Sequence, residues 1–430
     1  MRLRHLLCFA AALLGTSAQA GVTIDHWVSP SGARVYFVET HALPMLDVQV
    51  DFAAGSARDP EGKSGLASFT HGLLDGGAGD LDETAIANRL ADLGANLGGG
   101  ADQDRASLSL RTLSAPATRD GALEILRLVL QQPRFPEDVL QRERGRAVVG
   151  LREALTKPEV LASRAFWQNL YPNHPYGRLS SPESLESLSR ADVTAFWQAH
   201  YNAAKASVTL VGDLSKAEAA AIAERLTAGL PAGGPATPLP AAALPDARTV
   251  TVAHPASQSH LLLGLPAIPR GHPDFFALQV GNYVLGGGGF VSRLLKEVRD
   301  ARGYAYSTYS YFAPMLAQGP FQIGLQTKRA QAGDALKVVN EVLADFLAKG
   351  VTPAELQAAK ANIVGGFPLR LDSNRKLLDN VAVIGFFGLP LDYLDTYADK
   401  VEKVTAADIK AAFVRHVQPA HLVTVKVAAE

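Results

Sequence analysis

Two passages whose capping residues lie 216 positions apart share one pattern, and this narrows the folds open to the chain. Leu188-Ser189-Arg190-Ala191-Asp192-Val193 runs through Phe196 and His200 to Ala206-Ser207-Val208-Thr209-Leu210-Val211. Val404-Thr405-Ala406-Ala407-Asp408-Ile409 runs through Ala412 and His416 to Leu422-Val423-Thr424-Val425-Lys426-Val427. In each, a hydroxyl residue, Ser189 or Thr405, is followed three places later by an acid, the capping-box start of a helix. The β-branched run that follows predicts a strand. An earlier pair agrees: Ala122-Leu123 to Leu130, then Phe135-Pro136-Glu137, parallels Ala335-Leu336 to Phe346, then Thr352-Pro353-Ala354. Such repetition implies duplication. The expected class is α+β: two tandem homologous halves, each a sandwich-like unit with a mixed sheet packed against helices.

The seam between the copies shows in composition. From Ala228 to Ala247 the chain reads AGLPAGGPATPLPAAALPDA, too rich in Pro and Gly for a helix or a central strand, and so a semi-stiff linker. The expected organisation is therefore an export signal at 1–20, a first domain at 21–227, the linker at 228–247 and a second domain at 248–430. Arg2 and Arg4, the apolar run Leu6–Leu14 and Ala18-Gln19-Ala20 form the signal pattern, with cleavage expected after Ala20. That apolar run is too short to span a bilayer, and no later stretch reads as a membrane anchor. A periplasmic or secreted chain is expected.

Cys8, inside that signal, is the sole cysteine, so disulfides, thiol nucleophiles and cysteine-bound metals are excluded from the remainder. Without Arg2 and Arg4, 39 basic residues face 42 acidic ones, a balance with no footprint for nucleic acid. Within the first half, Ala33–Glu39 and Leu46–Phe52 read as the arms of a hairpin turning around Thr40–Pro44. Gly62–Leu74 and Glu83–Leu93 read as helices, Gly94–Asp102 as a turn, and Ala106–Arg111 as a strand.

The stretch Gly65-Leu66-Ala67-Ser68-Phe69-Thr70-His71-Gly72-Leu73-Leu74-Asp75-Gly76-Gly77 resembles the motif helix of the insulinase/pitrilysin family of zinc peptidases. There the same frame carries an inverted zinc motif, His-x-x-Glu-His. Here Ser68 takes the first His, His71 the Glu and Gly72 the second His. The resemblance also implies a third ligand seven residues after Glu143, in the phrase Arg142-Glu143-Arg144, where this chain has Gly150. A hydroxyl, an imidazole and two glycines do not supply the three strong ligands of a catalytic zinc. The carboxylate that would act as base on metal-bound water is missing too. Supporting phrases in matching order are Pro44 with its strand, Gly55-Ser56, Asn173-His174-Pro175-Tyr176-Gly177, Ala199-His200-Tyr201 and Val211-Gly212-Asp213.

In the second half, Leu285-Gly286-Gly287-Gly288-Gly289-Phe290-Val291-Ser292-Arg293-Leu294-Leu295 leads to Glu297-Val298-Arg299-Asp300-Ala301-Arg302-Gly303-Tyr304-Ala305-Tyr306-Ser307. This is similar to the family's C-terminal motif, which implies that Arg299 and Tyr306 face the zinc across the substrate and donate to its backbone and developing oxyanion. The four glycines lack the G-x-G-x-x-G setting of a nucleotide loop and read as a flexible loop that lets backbone approach a partner or peptide. Gly62-Lys63-Ser64 lacks the leading glycine of a phosphate loop, having Ala57 there. His71, His174, His200, His254, His260 and His272 show no metal-ligand spacing and read as structural.

The resemblance implies three readings. In the first, the chain binds no metal itself and pairs as a heterodimer with a zinc-bearing homologous subunit, supplying Arg299 and Tyr306 in trans for peptide hydrolysis and holding peptide as an extended strand. In the second, it is a non-proteolytic scaffold or peptide-binding protein. In the third, it is a stand-alone metallopeptidase with unfamiliar ligands.

Overall fold

The computed structural model describes residues 21–428; the expected signal at 1–20 lies outside the described residues. The first half begins with strands β1 (Asp25–Val28), β2 (Arg34–Glu39) and β3 (Met45–Phe52), then helix α1 (Leu66–Gly72) and a short ribbon, β4 (Gly77–Ala78) with β5 (Leu81–Asp82). Helix α2 (Glu83–Asp92), strands β6 (Asn96–Ala101) and β7 (Ala106–Leu113), and helices α3 (Pro116–Gln131) and α4 (Glu137–Ala154) follow. Next come α5 (Pro158–Leu170), α6 (Pro182–Glu186), α7 (Arg190–His200), β8 (Ala206–Gly212) and α8 (Lys216–Thr227).

The second half runs β9 (Arg248–Val252), β10 (Gln258–Ile268), α9 (Phe275–Asn282), α10 (Arg293–Leu295), β11 (Ala305–Phe312) and β12 (Gly319–Lys328). It closes with α11 (Ala332–Lys349), α12 (Pro353–Gly366), α13 (Asn374–Phe387), α14 (Tyr397–Lys403), α15 (Ala406–His416) and β13 (Val423–Val427). Among the described residues, no helix is long and apolar enough to cross a membrane.

The duplication is visible in the strand order. One sheet is β1-β2-β8-β3-β7-β6 and the other, from the matching edge, β9-β13-β10-β12-β11. Each has one parallel pair, β2 with β8 and β9 with β13, followed by antiparallel pairs. The expected capping boxes are both formed: Ser189 and Asp192 start α7, Thr405 and Asp408 start α15, and each helix leads to the strand that enters the middle of its sheet. Residues 231–247 form neither helix nor strand. They lie against the body through His174 Nε2 to the Pro240 carbonyl (2.9 Å) and the Ala242 amide to Gln318 Oε1 (2.8 Å).

Three local expectations need correction. Arg34–Glu39 and Met45–Phe52 are not hairpin partners, because β8 lies between them, parallel to one and antiparallel to the other. Local alternation cannot reveal a strand arriving from more than 150 residues away. The expected helix over Gly62–Leu74 begins only at Leu66, since Gly65 has a left-handed backbone (φ 101°). The Asp59 carboxylate accepts there from the amides of Gly65 and Ala67, both at 2.7 Å. Finally, Asn96–Ala101 is the edge strand β6, where a turn was expected; its Leu-Gly-Gly-Gly-Ala run gives no β-branched signal, and its order comes from pairing with β7.

The two halves exchange a helix. On one face of the first sheet, Leu46, Val48, Val50 and Phe52 of β3 join Val208 and Leu210 of β8 in an apolar core. The opposite face presents Asp47, Gln49, Asp51, Ser207 and Thr209, which alternation alone would assign to solvent, yet all are buried. Helix α13 of the second half lies over β8 and β3 there. Arg34 Nη1 donates to the Gly385 carbonyl (3.0 Å), and Gly385 presses on Tyr36 and Ser207 so closely that a Cβ would come within 2.8 Å of both. In return, α5 of the first half covers β10 and β13, with Phe166 and Leu170 packed in one cluster with Val423, Val425 and Val427. The exchange is pinned beside it. Asp104 accepts from Tyr176 Oη and from the Leu316 amide (2.8 Å), and Tyr171 Oη donates to the Gln318 carbonyl (2.9 Å).

Candidate functional site

The frame that resembles a zinc motif lies on α1, which packs against β6 and α7. Ser68 and Gly72 are exposed, and Gly150, on α4, is exposed as well. A Cβ built at Gly72 or at Gly150 would meet nothing within 4 Å, so space at these positions is not what is missing. His71 is turned to structural use: Nε2 lies 2.9 Å from the Ser107 carbonyl on β7 and so carries the proton it donates. Burial lowers its pKa, keeping the ring neutral. Gly99, at φ 148°, lets the strand close on this pair, since a Cβ there would come within 1.9 Å of the Ser107 carbonyl oxygen and 3.0 Å of His71 Nε2.

The acids near the third ligand position are engaged elsewhere. Glu143 is paired with Arg142 and Arg146, both at 2.7 Å, and Glu153 with Lys157 at 3.1 Å. Ser68, His71, Gly72 and Gly150 thus offer one usable donor atom, the second nitrogen of His71, and this donor set does not fit a zinc ion. No zinc chemistry is assigned to the chain.

The second half brings Arg299 and Tyr306 together. Arg299 sits on a wide helical turn (Lys296–Asp300) closed by the Ala301 amide donating to the Lys296 carbonyl (2.9 Å), a π-type distortion of the kind found at functional sites. Gly303, with left-handed φ of 65°, then turns the chain into β11. Pairing of β11 with β12 slips between Ala305 and Thr308, leaving a bulge at Tyr306 and Ser307. A bulge re-aims side chains, and Tyr306 is left 85% exposed. The Arg299 guanidinium stands 5.2 Å from the Tyr306 ring centroid and 4.9 Å from that of Phe290, itself 71% exposed. Arg299 makes no ion pair and Tyr306 Oη no hydrogen bond among the described residues. Two donors are thus held side by side, Tyr306 in solvent and Arg299 half-buried, in cation–π contact.

The glycine run does other work than the flexible loop expected. Tyr283–Gly287 is a second wide helical turn, and a Cβ on Gly286 would come within 2.6 Å of the Ser310 amide nitrogen. Glycine here permits direct packing of this turn on β11. Asn282 secures the same strand, donating to the Ser310 carbonyl (2.9 Å) and accepting from Ser310 Oγ (2.7 Å).

Sequence spacing missed one cluster because its members come from distant segments. His272, Asp274 and His416 bring ligand-type atoms within 4.8 Å of one another. Its atoms are already committed: His416 Nε2 is 2.7 Å from Asp274 Oδ2, Arg415 also pairs with that carboxylate, and His272 Nδ1 accepts from the Asp274 amide. The other histidines are structural as expected where partners are visible. His174 Nδ1 accepts from the Tyr176 amide, and His254 Nε2 lies 3.0 Å from the Thr156 carbonyl.

Residues 34–180 match the family model described as insulinase (peptidase family M16), and residues 187–363 match the one described as the peptidase M16 inactive domain. A solved structure described as a peptidase M16 inactive domain from Pseudomonas fluorescens is 37% identical, with a TM-score of 0.91 over 94% of this chain and 98% of that one. The chain belongs to peptidase family M16, the insulinase family. A Helicobacter pylori protein named a non-peptidase homolog is 25% identical over 93% of both chains. A Mycobacterium leprae protein named an uncharacterized zinc protease is 26% identical over 80% of this chain and 78% of its own. A Helicobacter pylori structure described as a protease shares the fold at 20% identity, with a TM-score of 0.86 over 94% of this chain and 99% of that one. The two halves correspond to the N- and C-terminal M16 domains, and the chain is an M16 homologue of the inactive type.

Proposed function

We propose that this chain is the substrate-binding, non-catalytic subunit of an exported heterodimeric M16 peptidase, whose zinc and general base come from a homologous partner subunit. One observation carries this reading: a half-buried Arg299 stands beside an exposed Tyr306, their donors without an acceptor among the described residues, although the chain's own zinc frame has no ligand set. Such donors need an acceptor from outside. A peptide carbonyl, and the oxyanion that forms from it during hydrolysis, is an acceptor of the right kind. The partner's metal would lie across the peptide, and Arg299 and Tyr306 would close on its backbone. Edge strands β6 and β11 offer backbone for an extended peptide in each half.

The test is peptidase activity of the mature chain, alone and mixed with a zinc-bearing M16 homologue from the same organism. Activity in the mixture only, removed by Arg299→Ala, is the expected result. Activity of the chain alone with bound zinc overturns the reading. Inertness in both settings leaves a non-proteolytic scaffold. Export is tested separately by fractionating cells for the mature chain.

A further inference from the structure

A pocket of about 500 Å³ opens on the second half, between the turn after β10, the start of α9, the segment after α13 and helix α14. Neither Arg299 nor Tyr306 lines it. Its wall carries Arg270, Lys400 and Lys403 together with the rings of Phe275, Phe276 and Tyr393. Arg270 is held 6.0 Å from the Phe275 centroid and 5.2 Å from that of Phe387. The Lys400 ammonium stands 5.8 Å from the Phe276 centroid and 5.7 Å from that of Tyr393.

The charges of this pocket do not balance internally. Its two acids are occupied: Asp274 by Arg415 and His416, and Asp408 by the amide and hydroxyl of Thr405. The side chains of Arg270, Lys400 and Lys403 have neither an ion pair nor a hydrogen-bonded acceptor among the described residues. Arg270 Nε is buried without any partner. Nearby rings offset part of the cost of desolvating a cation. They do not accept its in-plane N–H groups, and a guanidinium keeps its charge when buried. A buried donor without an acceptor costs free energy in the unliganded chain, which an arriving anion would recover. The volume is that of a small-ligand site, and its lining combines three cations with aromatic rings and the aliphatic surface of Leu389, Pro390 and Val404.

We propose that this pocket binds a carboxylate carried on an aromatic body. The carboxylate meets Arg270, with Lys400 and Lys403 beside it, and the ring lies against Phe275, Phe276 and Tyr393. Two sources share this chemistry: a free aromatic acid, and the C-terminal carboxylate of a peptide ending in an aromatic residue.

Isothermal titration of the mature chain tests this with 2-naphthoate, neutral 2-naphthalenemethanol, inorganic phosphate, and a tetrapeptide ending in Phe as its acid and its amide. Naphthoate should bind at least tenfold more tightly than the alcohol or phosphate. Arg270→Gln should abolish binding. Because Arg270 is packed among rings, the double variant Lys400→Gln/Lys403→Gln, on accessible side chains, serves as the second arm; it should weaken naphthoate several-fold without moving the melting temperature. Preference for the peptide acid over its amide assigns a peptide source, and binding of naphthoate alone assigns a free acid. Equal affinity for the alcohol, equal affinity for phosphate, unchanged affinity in the lysine variant, or no binding by any anion overturns the proposal.

Discussion

Each half lays a helix against the edge strand of its sheet, α1 on β6 and α9 on β11, and the two arrangements have been put to opposite uses. At α1 the imidazole has turned inward, Ser68 is exposed with only a hydroxyl to offer, and glycine stands at the other ligand positions. His71 donates to the Ser107 carbonyl, while Gly72 and Gly150 leave open space where side chains would reach out. Beside β11 the opposite holds: a wide helical turn and a bulge set a half-buried Arg299 beside a solvent-exposed Tyr306, with no acceptor for their donors among the described residues. Losing a metal site removes its ligands and leaves the packing beneath them in place. Holding Arg299 and Tyr306 side by side takes two backbone distortions, the wide helical turn and the bulge.

The comparison can be broken first by reversing the loss. The combined change Ser68→His, His71→Glu, Gly72→His and Gly150→Glu should give stoichiometric zinc at nanomolar affinity, about 12 kcal/mol of binding free energy, read by metal analysis and calorimetry. Failure to bind would mean that α1 and α4 have drifted out of zinc-binding register. Next in size, Arg299→Ala or Tyr306→Phe should lower kcat of the reconstituted pair by about 10²–10³-fold, as for removal of one oxyanion donor. Ser68→Ala in the same assay should leave the rate unchanged.

The third test concerns the polar face beneath α13. Burial pushes the Asp51 carboxyl up from 3.8 to about 7, with Arg105 pulling the other way. The folded chain therefore holds a proton there that the unfolded chain releases above its own lower pKa. Asp51 contributes stability in full below pH ~4, and that contribution is lost as pH rises to ~7, on the order of 1–4 kcal/mol. Denaturant midpoints at pH 4.5 and 7.5 should show Asp51→Asn cancelling this slope; an unchanged slope would place the charged form in the native state. Smallest, His71→Ala should cost about 1 kcal/mol through the lost bond to Ser107, with no change in the activity of the pair.

Much of the architecture was legible because its signals are local. The capping pairs Ser189/Asp192 and Thr405/Asp408 and the strands after them needed only neighbouring residues, and they carried the duplication. The site was legible through the order of its motif residues, but its geometry was not. A bulge at Tyr306 depends on how β12 pairs with β11, and the helical packing of Gly286 depends on the nearness of Ser310. The false hairpin has the same cause, since β8 enters from far along the chain. So has the pocket at Arg270, whose lysines arrive from α14. Gly98, Gly99 and Gly100 hid a strand because glycine is disfavoured in strands, so the run reads as a turn until its pairing with β7 is known.

The exchanged helices have a consequence for how the molecule comes into being. Asn374–Phe387 covers the polar face of the first sheet, so a nascent chain that has finished β8 still lacks the helix that buries Asp51, Gln49 and Thr209. The first half cannot reach its final state before nearly all of the second has left the ribosome. Conversely, cutting the chain within 231–247 would sever one covalent connection and leave two helices interlocked, so the fragments should travel together and melt as one. Motion that parts the two halves would first have to withdraw both helices, because the halves are tied together like hands with fingers crossed.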